Sequence, residues 1–276
     1  MKLRAFVGIA VLGAGLLTFA SPAASTGWVP TQGLRWQYQL QGVVRTDLCV
    51  RSAVRGTACV TPQVYDIDLY NNDGTGLNSD AVAAIHAQGS HAVCYVDAGT
   101  WENWRPDEAA YPSSVLGAPN GWPGEKWLDI RRTDVLLPII DARVAKCVSA
   151  GFDAVEFDNV DGYTNDTEFP LTASDQLTFN EALAADAHSH GLAVGLKNDL
   201  DQLTDLQSQF DFAINEQCAQ YAECDTYNGW LGAGKAVVEV EYRGSLSRFC
   251  PDAALHGRDA IKKRLSLKAT PYKPCR

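Results

Sequence analysis

Acidic residues recur in alternation on short apolar runs. Asp66 and Asp68 lie in 64–70, Glu156 and Asp158 in 154–158, and Glu239 and Glu241 in 236–242, while Asp97, Lys197 followed by Asn198, and Glu216 end three more such runs. Residues two apart on a strand point to one face, so each acidic pair would project two carboxyl groups together. Paired carboxyl groups suit the breaking of an acetal. One delivers a proton to the leaving oxygen, and the other attacks or activates water. Other chemistries find less support. There is no Gly-x-Ser-x-Gly elbow, and none of the five histidines ends a strand-like run. There is also no Cys-x-x-Cys pair and the histidines are scattered, so metal ligation by these residues is the weaker reading, with carboxylate-bound calcium or magnesium left as the alternative; no metal or organic cofactor is expected. The Asn-Asn-Asp-Gly-Thr-Gly segment at 71–76 has the composition of a calcium loop but not the EF-hand spacing, and it reads as a surface turn.

The elements that must carry these residues follow from the pattern. Strands are read at 35–41, 64–70, 92–97, 154–158, 193–197, 210–216, 236–242 and 264–269. Helical patterns at 79–88, 133–150 and 174–190 open on Ser79, Thr133 and Ser174 as N-caps. They end before Gly89, Gly151 and Gly191, where a left-handed cap favours glycine. Further helices are read at 200–207, 218–231 and 245–255. Alternating strands and helices predict a parallel sheet. Eight such units, with no repeat or linker, predict an α/β fold, a single (β/α)8 TIM barrel. Chemistry in that fold sits at the carboxyl ends of the strands, where the acidic residues gather.

With 46% hydrophobic and 20% charged residues the chain is compatible with a large core, not with disorder or coiled coil. Lys2 and Arg4, the apolar run 5–20 and the small residues Ser21, Ala23 and Ala24 make a secretory leader over 1–24, followed by the barrel domain over 25–276. The run is short of the ~20 residues of a membrane span, so no membrane association is expected after cleavage. The net charge of -10 is the wrong sign for nucleic acid, and it becomes more negative once Lys2 and Arg4 are removed. Eight cysteines in an exported chain read as disulfides. Short spacings favour Cys49 with Cys59 and Cys218 with Cys224, leaving Cys94 with Cys147 and Cys250 with Cys275, although sequence alone does not fix connectivity. A secreted monomer is expected.

A tryptophan-rich stretch after the third strand contains Trp101, Trp104, Tyr111, Trp122 and Trp127, and indole packs on the apolar faces of sugar rings. Trp101, just past a strand end, is the first choice for ligand contact. Several segments together resemble one family: Trp-Gln-Tyr-Gln-Leu at 36–40, Tyr-Asp-Ile-Asp at 65–68, the stretch 95–107 beginning Tyr-Val-Asp-Ala-Gly, Gly-Phe-Asp-Ala-Val-Glu-Phe-Asp-Asn-Val-Asp at 151–161, Gly-Leu-Lys-Asn at 195–198 and Asn-Glu-Gln-Cys at 215–218. They resemble glycoside hydrolase family 114, the endo-α-1,4-polygalactosaminidase family. The resemblance implies a (β/α)8 barrel that cleaves α-1,4-linked galactosamine polymers.

It also implies a catalytic pair, the Asp of Glu-Phe-Asp-Asn and the Glu of Asn-Glu-Gln, here Asp158 and Glu216. Glu216 is read as general acid and Asp158 as nucleophile or base, with the exchange of roles open. Glu156, one step deeper, is read as a buried partner tuning Asp158. Lys197 either pairs as a core lysine or lowers the pKa of a catalytic carboxyl. Candidate substrate contacts are Asp68, Asp97, Trp101, Glu102, Arg105, Asn159, Tyr163, Lys197, Asn198 and Glu241. The expected partner is a cationic, galactosamine-rich polysaccharide, drawn to an acidic mouth. The competing readings are a glycosidase of different sugar preference and a silent polysaccharide-binding barrel.

Overall fold

The computed structural model describes residues 27–51 and 59–276, so the leader expected at 1–24 lies outside the described residues. Eight strands run parallel, each beside the next: β1 Trp36–Gln39, β2 Val64–Asp68, β3 His91–Asp97, β4 Ala154–Asp158, β5 Ala193–Lys197, β6 Phe212–Glu216, β7 Val237–Glu241 and β8 Asp259–Lys262. Their alternation divides the core in two. Trp36, Tyr38, Val64, Val93, Ala154, Ala193, Phe212, Ile214, Val238, Val240 and Ile261 fill the barrel. The residues between them, such as Ile67, Val155, Phe157, Leu196 and Val237, pack outward on the helices. Those helices are α1 Ser79–Ala87, α2 Thr133–Ala150, α3 Ala173–Ser189 and α4 Leu246–His256. Among the described residues no helix is long and apolar enough to cross a membrane.

The eighth strand differs from the sequence reading. It is Asp259–Lys262, and the run expected at 264–269 instead closes the seam between β8 and β1 as irregular chain. Leu267 O accepts from the Leu40 and Gln41 N–H groups, Gln37 Nε2 donates to Ala269 O, and Lys263 Nζ donates to Gln37 Oε1 and Lys268 O. The strand is hidden in sequence because its neighbourhood is charged, yet several of those charged groups are buried and hydrogen-bonded. Asp259 accepts from Gly33 N–H at 3.0 and 3.1 Å, and Arg258 Nε donates to Glu239 at 2.8 Å.

Helix ends partly match expectation. Gly89, Gly151 and Gly191 have φ of 79, 90 and 79°, the left-handed conformation that ends a helix. At the other ends, Ser79 and Thr133 lie inside their helices. Of these three helices, only α3 carries a side-chain cap, a reciprocal capping box between Thr172 and Asp175 that displaces the expected Ser174. Segments 200–207 and 218–231 break into short turns, the latter at Ala222 with φ 61°. Sequence reading missed an antiparallel sheet over the barrel mouth, made of Thr100–Glu102, Glu125–Leu128 and Leu116–Pro119 in that spatial order.

All four expected disulfides are present, and among the described residues no cysteine is free. Cys94–Cys147 clamps β3 to α2, and Cys250–Cys275 ties the C-terminal end to α4. Deep in the barrel, Gly195 leaves room for Phe212, since a Cβ there would lie 2.5 Å from the ring. Gly195→Ala is therefore expected to cost about 1–3 kcal/mol and lower Tm by roughly 3–10 °C. A thermal melt checks it, and an unchanged Tm would mean that the ring yields freely.

Candidate active site

Three neighbouring strands end on chemically active residues: β4 on Asp158, β5 on Lys197 and β6 on Glu216. The backbone turns sharply after each. Asn159, Asn198 and Gln217 have φ of 58, 48 and 73°, and Asn tolerates this left-handed region better than most residues. The turns do further work. Asn159 N–H donates to Asp158 Oδ1 at 2.9 Å, and Asn198 Oδ1 accepts from Glu216 N–H at 3.0 Å. Gly99 lets the loop after β3 press on Asn159, where a Cβ would lie 1.7 Å from the Asn159 carbonyl oxygen.

Lys197 is the hub. Its side chain is 2% exposed, and its Nζ lies 3.0 Å from Asp158 Oδ1, 3.5 Å from Glu216 Oε2, 3.4 Å from Glu156 Oε1 and 3.0 Å from the Tyr38 hydroxyl. Burial works against an ammonium here, but the charges of Asp158, Glu216 and Glu156 outweigh it and raise its pKa. Burial likewise pushes Asp158 up. The Lys197 charge, with hydrogen bonds from Tyr95 OH at 2.7 Å and Asn159 N–H, outweighs it and holds the carboxyl below its usual range. Glu216 Oε1 accepts from the Tyr242 hydroxyl, whose pKa is raised by burial and by Glu216 itself. Asp158 and Glu216 keep side-chain exposures of 18% and 25%, so both remain open to the cleft above.

Beneath them lies a second acidic layer. Glu156 is fully buried, and its Oε1 accepts from Tyr38 OH at 3.1 Å. Asp66, also fully buried, is within hydrogen-bonding reach of Glu156, and neither Asp66 oxygen nor Glu156 Oε2 has another partner. Two carboxyl groups in such contact keep a proton between them. Burial first, then mutual repulsion, raises Asp66 well above its usual value, and burial pushes Glu156 up to about 7.

The cleft has a volume of about 470 Å³ and runs between the insert sheet and the seam segment. Asp68, Glu102, Arg105, Asn159 and Asn198 line it with the two open carboxyls. Arg105 welds one wall, donating to Asp68 at 2.7 and 2.8 Å and to Glu102 at 2.6 Å. Asp97 stands behind this wall, 1% exposed, accepting from Thr100 and Asn159, and burial keeps its pKa well above the usual range. Asp97, Glu102 and Glu125 bring carboxylate oxygens within 4.8 Å of one another, the spacing of metal ligands. Arg105, Thr100, Asn120 and Asn159 already donate to these groups.

Five expected contacts fall outside the cleft lining: Asp97 behind its wall, Lys197 in its floor, and Trp101, Glu241 and Tyr163 away from it. Trp101 packs against the outer core and donates to Glu108 O at 3.1 Å; the exposed indoles in the cleft belong to Trp104 and Trp122. The insert hairpin turns Trp101 inward, and no strand-end rule anticipates that. Glu241 points to the outer face of β7 and accepts from Ala219 N–H at 2.7 Å, because Val238 and Val240 take the interior face. Tyr163 sits in the turn Gly162–Thr164, beside Asp161 and Asp199, where burial raises its hydroxyl to about 12. Sequence reading missed Tyr95 and Tyr242, which donate to Asp158 and Glu216. Both share the alternation of those residues, Tyr95 two before Asp97 and Tyr242 two beyond Val240.

Solved structures share this architecture. The crystal structure of Aspergillus fumigatus Ega3 in complex with galactosamine is 33% identical, with a TM-score of 0.76 over 89% of this chain and 97% of that one. The glycoside hydrolase domain of PelA from Pseudomonas aeruginosa, at 13% identity and TM-score 0.59 over 88% of this chain and 98% of that one, shares the fold. An uncharacterized protein of Deinococcus radiodurans is 24% identical over 229 residues, 75% of this chain and 71% of the relative. The model of glycoside-hydrolase family GH114 matches residues 18–274. The chain belongs to glycoside-hydrolase family GH114 and is a glycoside hydrolase.

Proposed function

We propose that this protein is a secreted, endo-acting hydrolase of α-1,4-linked galactosamine and N-acetylgalactosamine polymer, a galactosaminogalactan-type exopolysaccharide, with Asp158 and Glu216 as its catalytic pair. The observation that carries this reading is the buried ammonium of Lys197, 3.0 Å from one carboxylate and 3.5 Å from the other, below a cleft open to both. The galactosamine bound to Ega3 supports the sugar, and the carboxyl-rich mouth suits a polymer bearing ammonium groups. The leader pattern and four disulfides support export.

The surroundings of Asp158 suit it to the nucleophile, which leaves Glu216 as the acid and base. Asp158, held ionised by Lys197, Tyr95 and the Asn159 amide, attacks the anomeric carbon. Glu216 gives its proton to the leaving oxygen as the glycosidic bond breaks. Glu216 then takes a proton from the water that displaces Asp158, restoring both groups. The two oxygens on Lys197 are no farther apart than its two contacts combined. That closeness supports the ~5–5.5 Å separation of retaining enzymes over the ~6.5–9.5 Å range of inverting ones.

Reducing-end release from purified galactosaminogalactan is expected for the wild type, with a loss of at least about 10³-fold in Asp158→Asn and in Glu216→Gln. A wild type that releases none is a binding barrel. Variants as active as wild type would move the chemistry elsewhere. NMR of the first products is expected to show the α anomer of the substrate preserved; a β product at first appearance would rule out attack by Asp158.

A further inference from the structure

Next to the catalytic cleft is a second concavity of about 210 Å³, and the two share a wall. Leu40, Gln41, Asp68, Trp104 and Arg105 face both. The divide is stiff, because the Arg105 guanidinium is 8% exposed and held on Asp68 and Glu102 at 2.6 to 2.8 Å. Trp104 is 48% exposed, so an aromatic face lies open on the ridge between the cavities.

Beyond the ridge carboxamides join the carboxylates of Asp68 and Asp73, among them Asn71 and Asn72 of the segment that resembled a calcium loop only in composition. This loop is braced. Asn71 N–H donates to Gly76 O, Gly74 N–H donates to Asn71 O, and Thr75 donates to Asp73. Asn78 Nδ2 fastens its base to Asp68 O and Tyr70 O at 2.7 and 2.8 Å. Asn72 is exposed and has no side-chain hydrogen bond among the described residues. A carboxamide both donates and accepts, as hydroxyl and amino groups of a sugar require, and an adjacent indole covers the ring face.

We infer that this carboxamide-lined cup is a distal subsite, holding a hexosamine residue of the same polymer some units away from the cleaved bond. The inference rests on the glycosidase reading of the neighbouring cleft. A polymer crossing the Trp104 ridge fills both cavities and gains contacts that a short oligomer lacks, so catalytic efficiency grows with chain length until the cup is occupied.

The test is kcat/KM measured on a ladder of galactosamine oligomers for wild type, Asn72→Trp, which fills the cup, and Asn72→Ala, which keeps its space. The wild type is expected to favour long oligomers over short ones. Asn72→Trp should lower that long-to-short ratio about tenfold, and Asn72→Ala by a smaller factor. Because the readout is a ratio within one protein preparation, a loss of folded protein does not imitate it. A ratio in Asn72→Trp equal to wild type overturns the subsite while leaving the cleft reading intact. A wild type that cleaves no oligomer of any length overturns the cleft reading, and the subsite with it.

Discussion

An ammonium group shut inside a protein is tolerated only where opposite charges and hydrogen-bond acceptors surround it, and the architecture of this site follows from meeting that condition for Lys197. Its partners are Tyr38, Glu156, Asp158 and Glu216, drawn from β1, β4 and β6. Only a closed barrel brings those strands around one point. Burial raises the pKa values of both Asp66 and Glu156, which limits the negative charge of the floor, so the ammonium is shared with the two carboxyl groups that face the cleft. Charge pairing and catalytic placement are thus one arrangement.

The rest of the fold holds that arrangement in register. Gly195 and Phe212 pack the layer below Lys197, the left-handed turns at Asn159, Asn198 and Gln217 end the three strands at matching depth, and Tyr95 and Tyr242 hold the carboxyl groups in one orientation. Around the mouth, the Arg105 fork and the insert sheet form one wall, and the seam segment that joins β8 to β1 forms another. Disulfides secure periphery and termini and take no part in the floor.

Much of this was legible in the sequence where side-chain period and chemistry agreed. The period-two runs containing Glu156 and Asp158, or ending in Glu216, located strands and acidic ends together, and the helix-ending glycines marked where the chain turned back. Reading failed where the same physics allowed two answers. Val237 to Glu241 alternates Val with Glu from its second residue, so a one-residue change of face sends the carboxylates either inward or outward, and packing of Val238 and Val240 decided for outward. β8 was hidden because Asp259 and Lys262 look like surface, whereas Asp259 is buried on Gly33 N–H. The insert sheet, built of strands three or four residues long, left no periodic trace, so Trp101 was chosen where Trp104 and Trp122 face the cleft.

The central claim is that the Lys197 ammonium sets the charge state of Asp158 for the reaction. The pH dependence of kcat/KM for Lys197→Met, beside wild type, tests it most directly. Without the ammonium, Asp158 ionises at higher pH, so the acid limb is expected to move up by about one unit or more while the maximum falls by roughly 10²-fold. An acid limb that stays at the wild-type position would contradict the account.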